Sequence, residues 1–152
     1  MNSIGKDERV ARVLKPSWLY KGEIAAAAFN LRPTLKETYV SVLREHIPTF
    51  EQDAKTVCKE KKNILYASIK VDELEERKET VAEQTVTFQI KETDNDTLKS
   101  HAGIFIAVNG HNIVGGEPFE SYIKESFVSE NDIILEISKR LAKVGGKDIR
   151  SL

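Results

Sequence analysis

The chain holds 152 residues, with 23 basic and 24 acidic side chains, 40% hydrophobic and 31% charged residues, and a formal net charge of −1. Length and composition describe a single globular domain over residues 1–152, able to bury roughly 68–70% of its unfolded surface, and exclude disordered, collagen-like and membrane-embedded classes. Near-zero net charge excludes a broad, non-specific nucleic-acid binder, for which a strongly basic domain is expected.

Cys58 is the sole cysteine, so neither an intrachain disulfide nor a cysteine-based zinc site is available, and one free thiol fits a reducing compartment. Residues Met1 to Arg9 lack the apolar core of a secretory leader. The longest apolar runs, Ile24–Phe29 and Ile104–Val108, fall short of the roughly 20 residues that cross a bilayer. The expectation is a cytoplasmic protein with no membrane association. Charge is uneven along the chain: residues 1–50 carry a net +3 and residues 81–152 a net −3. That asymmetry fits either an ordinary solvated surface or a weakly anion-seeking N-terminal face.

In chain order, Val10–Leu14 reads as a strand. Ile24–Leu31 is ambiguous: its four alanines favour a helix, which Phe29 and Pro33 keep short. Tyr39–Arg44 is rich in β-branched and aromatic residues and reads as a second strand. Thr49 and Gln52 form a T-x-x-Q capping box for a helix from Phe50 to about Lys61, with Phe50, Ala54, Val57 and Cys58 on one face. On that face Cys58 reads as a small core residue rather than a nucleophile. Leu65–Val71 alternates as a half-buried strand, and Thr85–Lys91 does so more cleanly. Ile104–Val108 suits a central strand, and Asn109-Gly110 a type I′ turn leading to a return strand over His111–Val114.

The last helix spans about 130–144: Ser129 caps it, Ile134, Ile137, Leu141 and Val144 form its buried stripe, and Gly145-Gly146 end it in the left-handed conformation. The polar stretches Lys59–Asn63, Glu73–Glu79 and Glu92–Ser100 read as loops. Strands and helices do not alternate regularly, so the expected fold class is α+β, a mainly antiparallel sheet with two principal helices packed on it. A partly closed barrel with one covering helix is the alternative.

Several chemistries fail on spacing. Gly145-Gly146-Lys147 follows a helix and precedes Asp148, so it is no phosphate loop, and the other glycines do not make G-x-G-x-x-G. His46, His101 and His111 have no helical i, i+4 partners for a metal, and no serine sits in G-x-S-x-G. No RRM-type aromatic motif or helix-turn-helix is present. Neither a metal nor a cofactor is expected.

Two stretches look over-specified for packing alone. The first runs from Arg12 through Pro16, Trp18 and Gly22 to Ile24, then Ala28-Phe29, then Glu37 through Ser41-Val42-Leu43-Arg44; the second is Ser100-His101-Ala102-Gly103-Ile104. Together they resemble a loosely defined group of small uncharacterised bacterial proteins with an Arg strand, a Pro-x-Trp turn, an Ala-Phe pair, a Ser-Val-x-Arg strand and a later His-Ala-x-Ile. The resemblance implies no activity. In this chain Leu98-Lys99-Ser100 stands where that group is expected to carry an Asn-Pro-like turn.

Read from their chemistry, Arg12 and Arg44 are expected to point together toward an anion, since guanidiniums fork onto carboxylate or phosphate. Ser41 adds a hydroxyl, and His101, entering an apolar strand, is placed as an acid or base. Trp18 either stacks on the ligand or packs against Phe29. The competing reading pairs Arg12 and Arg44 with Glu23 and Glu37 and leaves His101 capping the backbone.

Two functions follow. One is a small binding or interaction protein recognising an anionic ligand or a protein partner through Arg12, Ser41, Arg44 and Trp18. The other is a metal-independent enzyme or toxin-like effector acting on RNA or a nucleotide, with His101 as general acid/base, Arg44 as anion stabiliser and Ser41 beside them. A homodimer through an edge strand or the Gly115-Gly116 region is a third possibility.

Overall fold

Alternating burial along the strands builds a curled sheet whose concave side holds the main core. The computed structural model describes residues 4–32, 36–59, 62–93, 95–124 and 128–152. The strands are β1 (Arg9–Leu14), β4 (Tyr39–Arg44), β5 (Leu65–Lys70), β6 (Lys78–Val81), β7 (Gln84–Glu92), β8 (His101–Val108), β9 (His111–Asn112) and β10 (Ile149–Ser151). They run in the order β10-β5-β1-β4-β8-β7-β6, with β9 also on β8, and every pairing is antiparallel. A separate hairpin joins β2 (Leu19–Tyr20) to β3 (Glu23–Ile24). The helices are α1 (Phe50–Val57), α2 (Val71–Glu75) and α3 (Glu130–Gly145). The fold is α+β. Among the described residues, no helix is long and apolar enough to cross a membrane.

Val10, Leu14, Val40, Val42, Ala67, Ile69, Val86, Phe88, Ile90, Ala102, Ile104 and Ile106 face the concave side, where Ile133, Ile137 and Leu141 of α3 fill the curl. Helix α3 touches both β5 and β6, and α2 touches both β5 and β7, so the two helices bridge the two sides of the curled sheet. On the convex side, α1 lays Phe50, Ala54 and the adjoining Cys58 on Ala11, Val13, Leu43 and Tyr66. The three-strand run β5-β1-β4 is thus covered on both faces, and Val10, Ala11, Val13 and Leu14 of β1 are all buried.

Local chemistry explains where the sequence expectations hold and where they shift. Ser129 caps α3, its hydroxyl oxygen accepting from the Asp132 N–H at 3.2 Å. The glycines after it behave differently from the expectation: Gly145 is still helical and Gly146 is right-handed at φ −69°. A Cβ on Gly145 would lie 2.9 Å from the Phe29 ring and 3.1 Å from the Ala67 Cβ, so this glycine is required by close helix-to-sheet approach. Ile133 is buried in the stripe, and Ile134 is only partly buried.

Helix α1 stops at Val57, one turn short of expectation, and residues 60–61 lie outside the described residues. The capping box does not form: the Thr49 hydroxyl donates instead to the Asp53 carboxylate at 2.9 Å. The same carboxylate oxygen accepts from the Ser100 hydroxyl at 2.6 Å and the Ser100 N–H at 3.0 Å, fastening α1 to the start of β8.

The stretch Glu73–Glu79, expected as a loop, contains the end of α2 and the start of β6. Asn109 and Gly110, at φ 53° and 84°, make the expected hairpin, though the return strand β9 is only His111–Asn112. Gly115, proposed from sequence as part of a dimer contact, packs within the chain against the Lys36 backbone, and its N–H donates to the Thr38 hydroxyl at 3.0 Å.

These contacts predict opposite fates for neighbouring glycines. Gly145→Ala should cost about 1–3 kcal/mol through overpacking against Phe29 and Ala67, whereas Gly146→Ala should change stability by less than about 1 kcal/mol. Urea unfolding midpoints check this, and equal effects at the two positions would contradict the assigned contact.

Candidate functional site

The ladder between β1 and β4 records two pairs, Val10↔Arg44 and Ala11↔Leu43, while β1 keeps six with β5. Beyond Ala11 the first two strands part, and the Arg12 side chain enters the gap. Its Nε donates to the Ala28 carbonyl at 2.7 Å and its Nη1 to the Ser41 carbonyl at 2.9 Å. A side chain thereby supplies donors to a strand carbonyl and to the 3-10 turn Ala26–Phe29.

The other six arginines each lie within ion-pairing distance of a carboxylate. Arg12 does not, among the described residues. Desolvation draws its guanidinium down to about 10, opposed by the charge of Glu37, so it stays cationic at neutral pH. Two of its five N–H donors are bonded, which leaves three for another acceptor.

The gap opens into a cleft of about 410 Å³ lined by Arg12, Lys15, Trp18, Asn30, Arg32 and Glu37, together with the buried Val13 and Cys58 and the exposed Val57. The Arg12 Cζ and the Lys15 Nζ each lie 5.1 Å from the centroid of the Trp18 ring, so the indole holds two cations at the mouth. Arg32 forks onto Glu37 at 2.8 and 3.2 Å, and that bond holds the Glu37 carboxyl below its ordinary range. With this pair mutually neutral, the cleft presents the uncompensated charges of Arg12 and Lys15. The Cys58 thiol is free and buried.

Five residues stood out in the sequence, and the structure separates them. Arg12 and Trp18 line the cleft. Ser41 meets Arg12 through its carbonyl, while its own side chain is exposed on the convex face. Arg44 lies outside the cleft: Nε and Nη2 bind Glu8, each at 3.0 Å, and Nη1 binds Glu92. Burial alone would raise the Glu8 carboxyl, but the bonds from Arg44 and the Gly5 N–H, with the charges of Arg44 and His46, hold it below the usual range. The expected alternative pairings also differ, since Glu37 goes to Arg32 and Arg44 to Glu8 and Glu92.

His101 is buried, with Nδ1 against the Thr93 hydroxyl and its ring edge-on to Tyr39 at 5.9 Å. Burial, aided by the charge of Arg12, pushes its imidazole below the ordinary 6.5.

Lys15, Asn30, Arg32 and Glu37 were missed as site residues. Lys15 beside Pro16-x-Trp18 was the available signal; Asn30 is brought in by the 3-10 turn, which periodicity does not reveal, and Glu37 by its bonds to Arg32. Among the described residues, no group of three or more His, Cys, Asp or Glu side chains is placed to hold a metal ion. No family model matches the chain, and no curated protein and no solved structure matches it.

The Arg12 charge is felt at His101, which gives a direct test. NMR titration should place the His101 midpoint below 6.5, and Arg12→Met should move it upward. Because the folded value is depressed, His101 stabilises the fold fully above pH 6.5, and this contribution is lost as pH falls through the folded value. A midpoint unmoved by Arg12→Met would show that the two groups are not coupled.

Proposed function

We propose that the chain is a small binding protein whose Arg12 cleft takes a compact anion joined to a flat or apolar body. The carrying observation is the Arg12 guanidinium, held in place by two carbonyls, unpaired with any described carboxylate and facing a cleft of about 410 Å³. Its remaining donors are open: the one buried side-chain nitrogen or oxygen without a partner among the described residues is Arg77 Nε.

A guanidinium already fixed in position loses little freedom on binding carboxylate or phosphate. Lys15 adds a second charge, and Trp18, Val13 and Val57 supply the apolar wall. An enzyme reading is less well supported, because His101 is buried beside Thr93 and does not line the cleft. The free, buried Cys58 is compatible with the cytoplasmic location proposed for the protein, and the sequence resemblance with a bacterial origin.

Isothermal titration with inorganic phosphate and with uridine monophosphate tests this reading. Both should bind, the nucleotide more tightly, with Lys15→Glu weakening both about tenfold, equivalent to ~1.4 kcal/mol, and Trp18→Leu weakening mainly the nucleotide. Lys15 is exposed, so its replacement leaves the core alone. Absence of binding by the wild-type protein overturns the assignment.

A further inference from the structure

The convex face of β4, β8 and β7 is tied to the cleft through Ser41 of β4, whose carbonyl accepts from Arg12. Outward positions on these strands alternate with the core, placing Tyr39 beside Phe105 and Ser41 beside Gly103, with Gln89 and Lys91 on the far side of β8. Helix α1 covers Leu43 and the β1 and β5 positions, and among the described residues no helix covers this part of the sheet. Gly103 is what lets Tyr39 lie across β8, since a Cβ there would stand 2.5 Å from the Tyr39 ring. The Tyr39 and Phe105 rings meet at 5.1 Å with a tilt of 39°, and the Lys91 ammonium lies 5.3 Å from the Phe105 centroid.

Charge on this surface has one sign. The outward positions of β4, β8, β7 and β6 hold Lys78 and Lys91 with hydroxyl, amide and aromatic groups, and no carboxylate. Glu79 and Glu92 have the opposite parity, and bind Arg140 and Arg44. Ser41 links the two regions: its carbonyl is bonded to Arg12, and Tyr39 is two residues away along the strand, about 7 Å.

We propose that the anion taken by the cleft is one phosphate of a short single-stranded nucleic acid, and that a neighbouring base lies on the Tyr39–Phe105 shelf. This inference rests on the cleft reading above. Flat rings on adjacent strands accept any base through its π face, Gln89 and Ser41 offer hydrogen bonds to base edges, and Lys91 turns from Phe105 toward a phosphate. A near-neutral molecule with so local a basic track engages two or three phosphates, giving a log K against log salt slope of about −2 and no broad polyanion affinity. An acidic peptide would match the lysines but would leave the aromatic shelf without a stacking partner.

Calorimetric titration should compare uridine monophosphate, a uridine tetranucleotide, a thymidine tetranucleotide and tetraglutamate. At least one tetranucleotide should bind about tenfold or more tightly than the monophosphate, and the two tetranucleotides show whether RNA or DNA is taken. Phe105→Leu, which keeps an apolar side chain, and Lys91→Glu should each abolish that gain without changing monophosphate affinity, while Lys15→Glu weakens all nucleotides. Equal affinity for monophosphate and tetranucleotides overturns the sheet-face assignment and leaves the cleft reading standing. Tetranucleotide binding that needs Phe105 but ignores Lys15→Glu overturns the cleft reading, and with it this inference. Tetraglutamate binding as tight as the tetranucleotides overturns it as well, in favour of an acidic peptide.

Discussion

The Arg12 guanidinium, set between strands that have stopped pairing, ties the middle of the sheet to the 3-10 turn. It joins β1, the strand that carries the long ladder to β5, to the Ser41 carbonyl of β4 and the Ala28 carbonyl of the 3-10 turn. Next to Ala28, Phe29 is fully buried and is the residue against which Gly145 seats α3. One cation thus connects the middle of the sheet to the helix that fills its curl. Half-burying a charge without a carboxylate is costly, and the two carbonyls offset that cost only in part, since they are dipoles and not charges. The uncompensated part is what an arriving anion can satisfy.

Elsewhere the protein uses its charged groups on itself. Glu8 and Glu92 clamp Arg44, tying the residue before β1 to the ends of β4 and β7. Asp53 is buried and accepts three hydrogen bonds from Thr49 and Ser100; burial alone would raise its carboxyl, but these bonds and the charge of Lys99 hold it below the ordinary range. Arg140 and Arg77 share Glu79. Against this background Arg12 stands out as the one arginine without a carboxylate partner among the described residues, and it shares the Trp18 indole with Lys15.

Strongly periodic or capped segments were legible before the structure: α3 with its Ser129 cap, the alternating β7, the apolar β8 and the Asn109-Gly110 turn. Strand β6 was not, because its turn to β7 is made by Ala82 and Glu83, both at positive φ and neither a turn-former by composition. That turn is held by the buried Gln84 amide, which donates to the Ala82 and Lys124 carbonyls, a tertiary bond invisible to local reading. The 3-residue β10 is too short for periodicity to register. At the site, an arginine inside an apolar strand and a Pro-x-Trp turn were readable as unusual. Their separation from Arg44 was not, since its partners Glu8 and Glu92 are 36 and 48 residues away in sequence.

In the proposed binding role Arg12, and not Arg44, is the arginine open to a ligand. Nitrogen-15 spectra of the arginine side chains, recorded while inorganic phosphate is added, test it most directly. The Arg12 Nε resonance should move and saturate while the Arg44 resonance, locked by Glu8 and Glu92, stays fixed. Movement of Arg44 with Arg12 unchanged would contradict it.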